Sequence, residues 1–450
     1  MFKPLFLTNT FGRLKELFVP QQQGTVKMYV CGITPYDSSH IGHGRVYVCF
    51  DLLYRLLKFL GYKTTYVRNV TDIDDKLLDK AEKLFGDKMR YQELAIKYMA
   101  EFDDQMKKLN CLTPDIQPRA TEYIAEMLAM IQTLIEKNHA YVVDSDVYFD
   151  VPSFSQYGRL SNKKLENLIA GARVELNDKK KHPTDFALWK GTPEGEFWKS
   201  PWGYGRPGWH MECSAMILKT LGKTIDIHAG GIDLIFPHHE NEIAQSECCT
   251  GELFTKYFLH NEFVNLHSEK MSKSLGNIIT LKNALEQVNP MVWRFYILQH
   301  HYRMPIDFTD DGLRAACIAY QKIITTLESA QTTKNSGANL LAVCDENEIL
   351  KSLLAALCDD LNSPKFMGII FENLATIRKD PTIAAFVKAL FTEVMGLDCK
   401  PLEELQATPE IEALIAAREV ARKEKDWKKS DEIRDQLAQL GWQVNDKKLS

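Results

Sequence analysis

The feature that most constrains the fold is a strand, loop, helix and strand in succession near the start of the chain. VKMYVC (26–31) has strand composition, the turn formers Gly32, Thr34, Pro35 and Asp37 follow, and Val46, Phe50, Leu53, Leu57 and Leu60 then recur at helical spacing. KTTYVRNV (63–70) reads as a second strand, and Thr71 with Asp74 offers a capping box for a helix holding Leu77, Leu78 and Ala81. Two strands joined by a helix pair in parallel, so the chain is expected to be α/β.

At 450 residues the chain exceeds one core, and two or three domains are expected. The parallel-sheet pattern covers 1–110. Between 111 and 199 it gives way to a helical segment (123–137), an alternating one (141–151) and a polar loop (177–185), which reads as an insertion. The α/β pattern resumes over 200–290, with strand-like TIDIHAGG (224–231), a helix beginning near Pro237 and strand-like EFVNL (262–266). There Thr280 caps a helix with Leu281, Ala284, Leu285 and Val288 on one face, stopped near Pro290. Residues 291–400 are almost wholly helical in pattern, and 401–450 form a small helix-rich unit.

The formal net charge of −5 gives no global attraction for nucleic acid, so such binding must rest on local surfaces. Ten cysteines scattered from Cys31 to Cys399 fit a reducing compartment better than a disulfide framework. No signal-peptide pattern and no run of eighteen apolar residues occurs, so a cytoplasmic protein without membrane insertion is expected.

Two short motifs carry chemistry. His40 and His43 flank Gly42 at the mouth of the first helix, where free N–H groups favour an anion such as phosphate; the alternative is two solvated histidines on a first helical turn. EKMSKSLGN (269–277) supplies Lys270, Ser272 and Lys273, suited to a loop over polyphosphate, although alone it is also an ordinary basic turn. Together, HIGH at 40–43 and KMSKS at 270–274 strongly resemble the paired signatures of the class I aminoacyl-tRNA synthetases. The resemblance implies a Rossmann-like parallel sheet interrupted by a connective insertion. It implies that His40, His43, Lys270 and Lys273 stabilise the α-phosphate and departing pyrophosphate of ATP.

His238 and Glu242 are four apart, on one face of a helix, and with the thiolates of Cys31 and Cys213 they could complete a Zn²⁺ site, His239 pointing elsewhere. Taken singly, the cysteines read better as buried hydrophobes and the His/Glu pair as a helix-surface contact. YVCGITPYDSSHIGHGR, NVTDIDDK, SPWGYGRPGWHMECSAM and DIHAGGIDLIFPHHENEIAQSE resemble the cysteinyl-tRNA synthetase family over about 5–440. Pro35 and Gly44 depart from it, where valine and alanine are usual. The resemblance implies one Zn²⁺ per chain on Cys31, Cys213, His238 and Glu242, binding the substrate sulfur. It places Thr71, Trp209 and His228 around the amino acid, and Gly42, Ser272, Gly230, Gly231 and Asp233 with the HIGH and KMSKS residues around Mg²⁺-ATP. The partners implied are L-cysteine, ATP and cysteine tRNA. The chain is expected to act as a monomer with a helical tRNA-binding region and a small C-terminal anticodon unit, where Trp427 and Trp442 stand among basic residues.

Overall fold

The computed structural model describes residues 3–164, 179–266, 269–270, 278–328, 330, 341, 344, 347–402, 409–424 and 426–439. Ser272, Lys273 and Trp442 lie outside the described residues, and Lys270 is described as backbone only.

A hairpin of β1 (Phe6–Asn9) and β2 (Leu14–Leu17) precedes β3 (Thr25–Ile33), α1 (Ile41–Phe59) and β4 (Lys63–Val70). β3 and β4 pair in parallel, Thr25 against Lys63 through Val30 against Arg68. Met28, Tyr29 and Val30 are buried on both faces, as a parallel sheet covered by helices requires. The register slips between Val30 and Ile33, and only glycine fits the slip, because a Cβ on Gly32 would lie 1.6 Å from the Asn69 carbonyl oxygen. The Gly32 N–H donates to Asn69 Oδ1 at 2.7 Å. Irregularities of this kind re-aim neighbouring side chains beside active sites, and the neighbour here is Cys31.

α2 (Asp75–Phe85) is capped by Asp74, which accepts from the Lys76 amide at 2.9 Å. The expected box on Thr71 does not form: Thr71 sits in the preceding extended segment and its hydroxyl accepts from Asn69 Nδ2 at 3.3 Å. After α3 (Tyr91–Lys108), residues 116–119 run beside β4. α4 (Ile124–Glu136) then packs Met127, Ile131 and Leu134 on an antiparallel sheet in the order β5-β6-β7-β9-β8. Its strands are β5 (Ala140–Val143), β6 (Asp146–Phe149), β7 (Phe186–Gly191), β8 (Trp198–Ser200) and β9 (Gly203–Pro207).

The chain returns through α5 (Trp209–Thr220), β10 (Ile225–Gly231), a π turn over Ile235–His239, α6 (Glu240–Thr250) and β11 (Thr255–Asn261). The main sheet is all parallel in the order β11-β10-β3-β4. α1 carries the chain from β3 toward one edge and α6 from β10 toward the other, which makes the gap between β3 and β10 the topological switch point where such folds bind ligands. The strand-like 262–266 is not part of that sheet. β12 (Val264–Leu266) instead forms a second sheet in the order β13-β12-β14 with β13 (Glu269–Lys270) and β14 (Ile306–Phe308), and the edge of the main sheet is the less obvious TKYFLHN of β11. α7 (Leu281–Gln287) starts as expected at Thr280, whose Oγ1 accepts from the Asn283 amide at 3.3 Å.

The rest is helical: α8 (Pro290–Leu298), α9 (Asp310–Leu327), α10 (Glu348–Cys358), α11 (Ser363–Glu372), α12 (Leu374–Lys379), α13 (Pro381–Ala389), α14 (Pro409–Lys423) and α15 (Trp427–Gln439). α1 is buried almost all round because the sheet covers one side and this helical part the other. A charged cluster crosses that junction: Asp51 Oδ2 accepts from Arg55 Nε at 2.7 Å and from a terminal nitrogen of Arg294 at 2.5 Å, and Arg294 also donates to the carbonyls of Met395 and Leu109. Among the described residues no helix is long and apolar enough to cross a membrane.

Candidate metal and nucleotide site

The switch point gathers side chains from four elements. Cys31 comes from the end of β3, Cys213 from α5, His238 from the π turn and Glu242 from α6, and one donor atom of each lies within 4.8 Å of all the others. All four are buried, Glu242 completely. The spacing suits one ion, since zinc with two sulfurs, a nitrogen and an oxygen separates its ligands by roughly 3.3–3.8 Å. Cys213 Sγ is 3.7 Å from His238 Nε2, and Cys31 Sγ is 3.8 Å from Glu242 Oε1.

The electrostatics draw positive charge to the same point. Burial disfavours a charged His238, yet Glu242 outweighs it and lifts its pKa to about 10. Burial likewise opposes the Glu242 carboxylate, but His228 and His238 hold it down at about 2. The hydrogen bond with Cys31 brings the Cys213 thiol down to about 6. Two sulfurs, an imidazole and a carboxylate that together favour a cation are a donor set for a borderline-soft divalent metal.

Further histidines orient these groups, and two of them, His210 and His260, were not singled out from the sequence. His210 Nδ1 meets His238 Nδ1 at 2.8 Å, which leaves His238 Nε2 for the cluster. His228 is fully buried, its Nε2 2.7 Å from Glu242 Oε2. His239, expected to face away, brings Nε2 to 3.3 Å from Cys31 Sγ, because it ends a π turn in which Phe236 is extended and α6 proper begins only at Glu240. Its Nδ1 contacts His260 Nε2 at 2.8 Å, and His260 Nδ1 contacts Thr10 Oγ1 at 2.8 Å. Such partners are the usual support of metal-bound side chains, and the useful signal was the density of histidine in HAGG and FLHN at adjacent strand ends and in PHHE between them.

Burial drives the His260 pKa down to about 3. Because that lies below the ordinary 6.5, the unfolded chain binds a proton there that the folded chain refuses, and stability is lost as pH falls from 6.5 toward 3. The expected slope from this one ring is up to about 1.4 kcal/mol per pH unit. Urea unfolding at pH 7.5 and pH 5 checks it, and His260→Asn is expected to flatten the dependence.

Trp209 stacks on His238, with ring centroids 4.2 Å apart, and remains 38% exposed, so it forms a wall where the buried cluster opens outward. Thr71 lies at the C-terminal end of β4, buried. A Cβ on Gly230 would come within 2.8 Å of Leu234 Cδ1, and one on Gly231 within 2.6 Å of Asp233 Oδ1, so both glycines keep this strand end close to the following turn. His40 is the N-cap of α1 and His43 lies in its first turn, their rings stacked with centroids 3.9 Å apart. The His40 N–H donates to His43 Nδ1 at 3.2 Å, which leaves the His43 proton on Nε2 as a donor. The Ile41 amide donates to the Ile279 carbonyl at 3.1 Å and the Leu281 amide to that of Ser39 at 2.7 Å, which ties the chain following the lysine motif to the histidine motif. Gly42 lies between the two histidines in sequence, in the same first turn.

A parallel sheet with ligand groups at its switch point, a helix opening on HIGH and a strand entering KMSKS together define a class I aminoacyl-tRNA synthetase. Residues 17–318 match the family model for the tRNA synthetases class I (C) catalytic domain, and 406–449 match that for the cysteinyl-tRNA ligase anticodon binding domain. The chain is 44% identical to the cysteine–tRNA ligase of Trichlorobacter lovleyi, over 98% of each, and 45% identical to that of Geobacter sulfurreducens, over 96% of each. It belongs to the cysteine–tRNA ligase family and is an enzyme. The solved Mycobacterium tuberculosis methionyl-tRNA synthetase in complex with methionyl-adenylate shares the fold at 14% identity, with a TM-score of 0.58 over 88% of this chain and 96% of that one.

Proposed function

We propose that the enzyme activates L-cysteine with Mg²⁺-ATP to cysteinyl-adenylate and transfers it to the 3′ end of cysteine tRNA, choosing cysteine over serine through Zn²⁺ held by Cys31, Cys213, His238 and Glu242. The observation that carries this reading is the convergence of those four buried donors at the switch point. When bound, the metal supplies a soft centre that favours a thiolate over a hydroxyl. The protein's own groups do the rest. Trp209 and Thr71 confine the amino acid, with His228 fixing Glu242 from behind. The Nε2–H of His43, with His40, Lys270 and Lys273, offers donors to phosphoryl oxygens as charge develops, and Gly42 lets the backbone approach them. Gly230, Gly231, Asp233 and Ser272 complete the nucleotide side. Residues 1–110 and 200–290 form the catalytic domain around an insertion at 111–199; 291–400 and 401–450 hold the tRNA, and the enzyme works as a cytoplasmic monomer.

A neutral pocket separates such near-isosteres by only about 10², so a metal-selected site is expected to favour cysteine over serine by more than about 10³ in kcat/KM for pyrophosphate exchange. Metal content and exchange with each amino acid, on one preparation, test this. One zinc per chain and strong discrimination support it, whereas serine within a hundredfold of cysteine, or full activity without metal, overturns it.

A further inference from the structure

Arg45 follows the HIGH motif by two residues and is almost wholly buried. Among the described residues no carboxylate makes a direct ion pair with it, and that of the neighbouring Glu262 acts on it only through space. Its guanidinium is spent on main-chain carbonyls: one terminal nitrogen donates to Phe263 at 2.5 Å, and the other to Tyr302 and His301 at 3.2 Å each and to Met304. These acceptors lie where the second sheet begins. Phe263 immediately precedes β12, whose partner β13 carries Lys270, and Met304 stands two residues before β14. The same carbonyls join the strands to each other, since the Ile306 amide donates to Phe263 at 3.0 Å and the Glu262 amide to Tyr302 at 2.9 Å.

A planar fork with fixed donors suits this task better than an ammonium would. Bonds to main-chain carbonyls fix backbone positions, and here they fix the root of one sheet against the first turns of α1. We infer that Arg45 is a positioning residue for the activation step, holding the strand that leads to Lys270 in register with His40 and His43. This rests on the proposal that those three side chains meet the phosphates of ATP. The metal cluster lies on the other side of β3, on elements that Arg45 does not bond.

The test compares Arg45→Met, which removes every donor, with Arg45→Lys, which restores some of them without the fork. A misplacement of about an ångström costs on the order of a hundredfold. In Arg45→Met the kcat of cysteine-dependent pyrophosphate exchange is therefore expected to fall by about that factor, with zinc content and KM for cysteine within about twofold of native and partial rescue in Arg45→Lys. Amide exchange is expected to quicken at 264–266 and stay native in β3. A folded Arg45→Met with kcat within about threefold of native, or with KM for cysteine rising as much as kcat falls, overturns the inference. Should Arg45→Met fail to fold, Arg45→Lys decides by amide exchange: selective quickening at 264–266 supports the inference and uniform quickening overturns it. His43→Asn separates the two levels, since unchanged exchange there sinks the phosphate reading itself, whereas lost exchange there with a native Arg45 series sinks the positioning role alone.

Discussion

Cys213→Ser is expected to yield a folded protein that has lost its metal and, with it, nearly all cysteine-dependent pyrophosphate exchange. The substitution is nearly isosteric at a buried position, so the surrounding core has little reason to collapse. What changes is the donor: a serine hydroxyl stays protonated where the Cys213 thiol is already drawn down to about 6. A site reduced to one sulfur, an imidazole and a carboxylate holds zinc more weakly by at least the ten- to hundredfold, roughly, that even an outer support group contributes. Elemental analysis after dialysis should show metal falling from about one per chain to a small fraction of that. Cys248→Ser, on a buried cysteine outside the cluster, is the control and should retain it. Equal metal in both variants would remove Cys213 from the ligand set.

The second large effect concerns stability. Asp51→Ala is expected to lower the free energy of unfolding by about 3–5 kcal/mol, because it strands the Arg55 and Arg294 guanidiniums in a place without water. Asp51 also accepts from the Leu112 amide at 2.8 Å, so the loss extends to the chain leaving α3. Urea unfolding measures the change. The double variant Asp51→Leu with Arg294→Leu should cost less than Asp51→Ala alone, since no uncompensated charge then remains on Arg294. A double variant that costs the sum of its single changes would show that the pair is not coupled.

The β3–α1–β4 unit was legible because its apolar residues repeat at the period of each element, and Thr280 was legible as a cap because its hydroxyl has a free amide three residues on. HIGH and KMSKS were legible as letters. β11 was not, because TKYFLHN mixes Lys256 and His260 into a strand that is buried by its neighbours rather than by its own pattern. The box expected of Thr71 with Asp74 set the helix start three residues too early, since Asp74, the residue immediately before the helix, is itself the cap. The orientation of His239 depended on a π turn, which shifts the angular position of side chains without leaving a mark in hydropathy. The Thr10–His260–His239–Cys31 contacts join parts of the chain as much as 250 positions apart, a pairing that only the assembled sheet creates.

The missing side chain at Gly32 has a consequence for inheritance. Where two strands touch peptide to peptide, main-chain contact fixes how far apart they lie, and with it the root of the neighbouring thiol. An exchange of one aliphatic group for another elsewhere in the interior does not touch that contact. The same contact leaves this one position no freedom to vary at all.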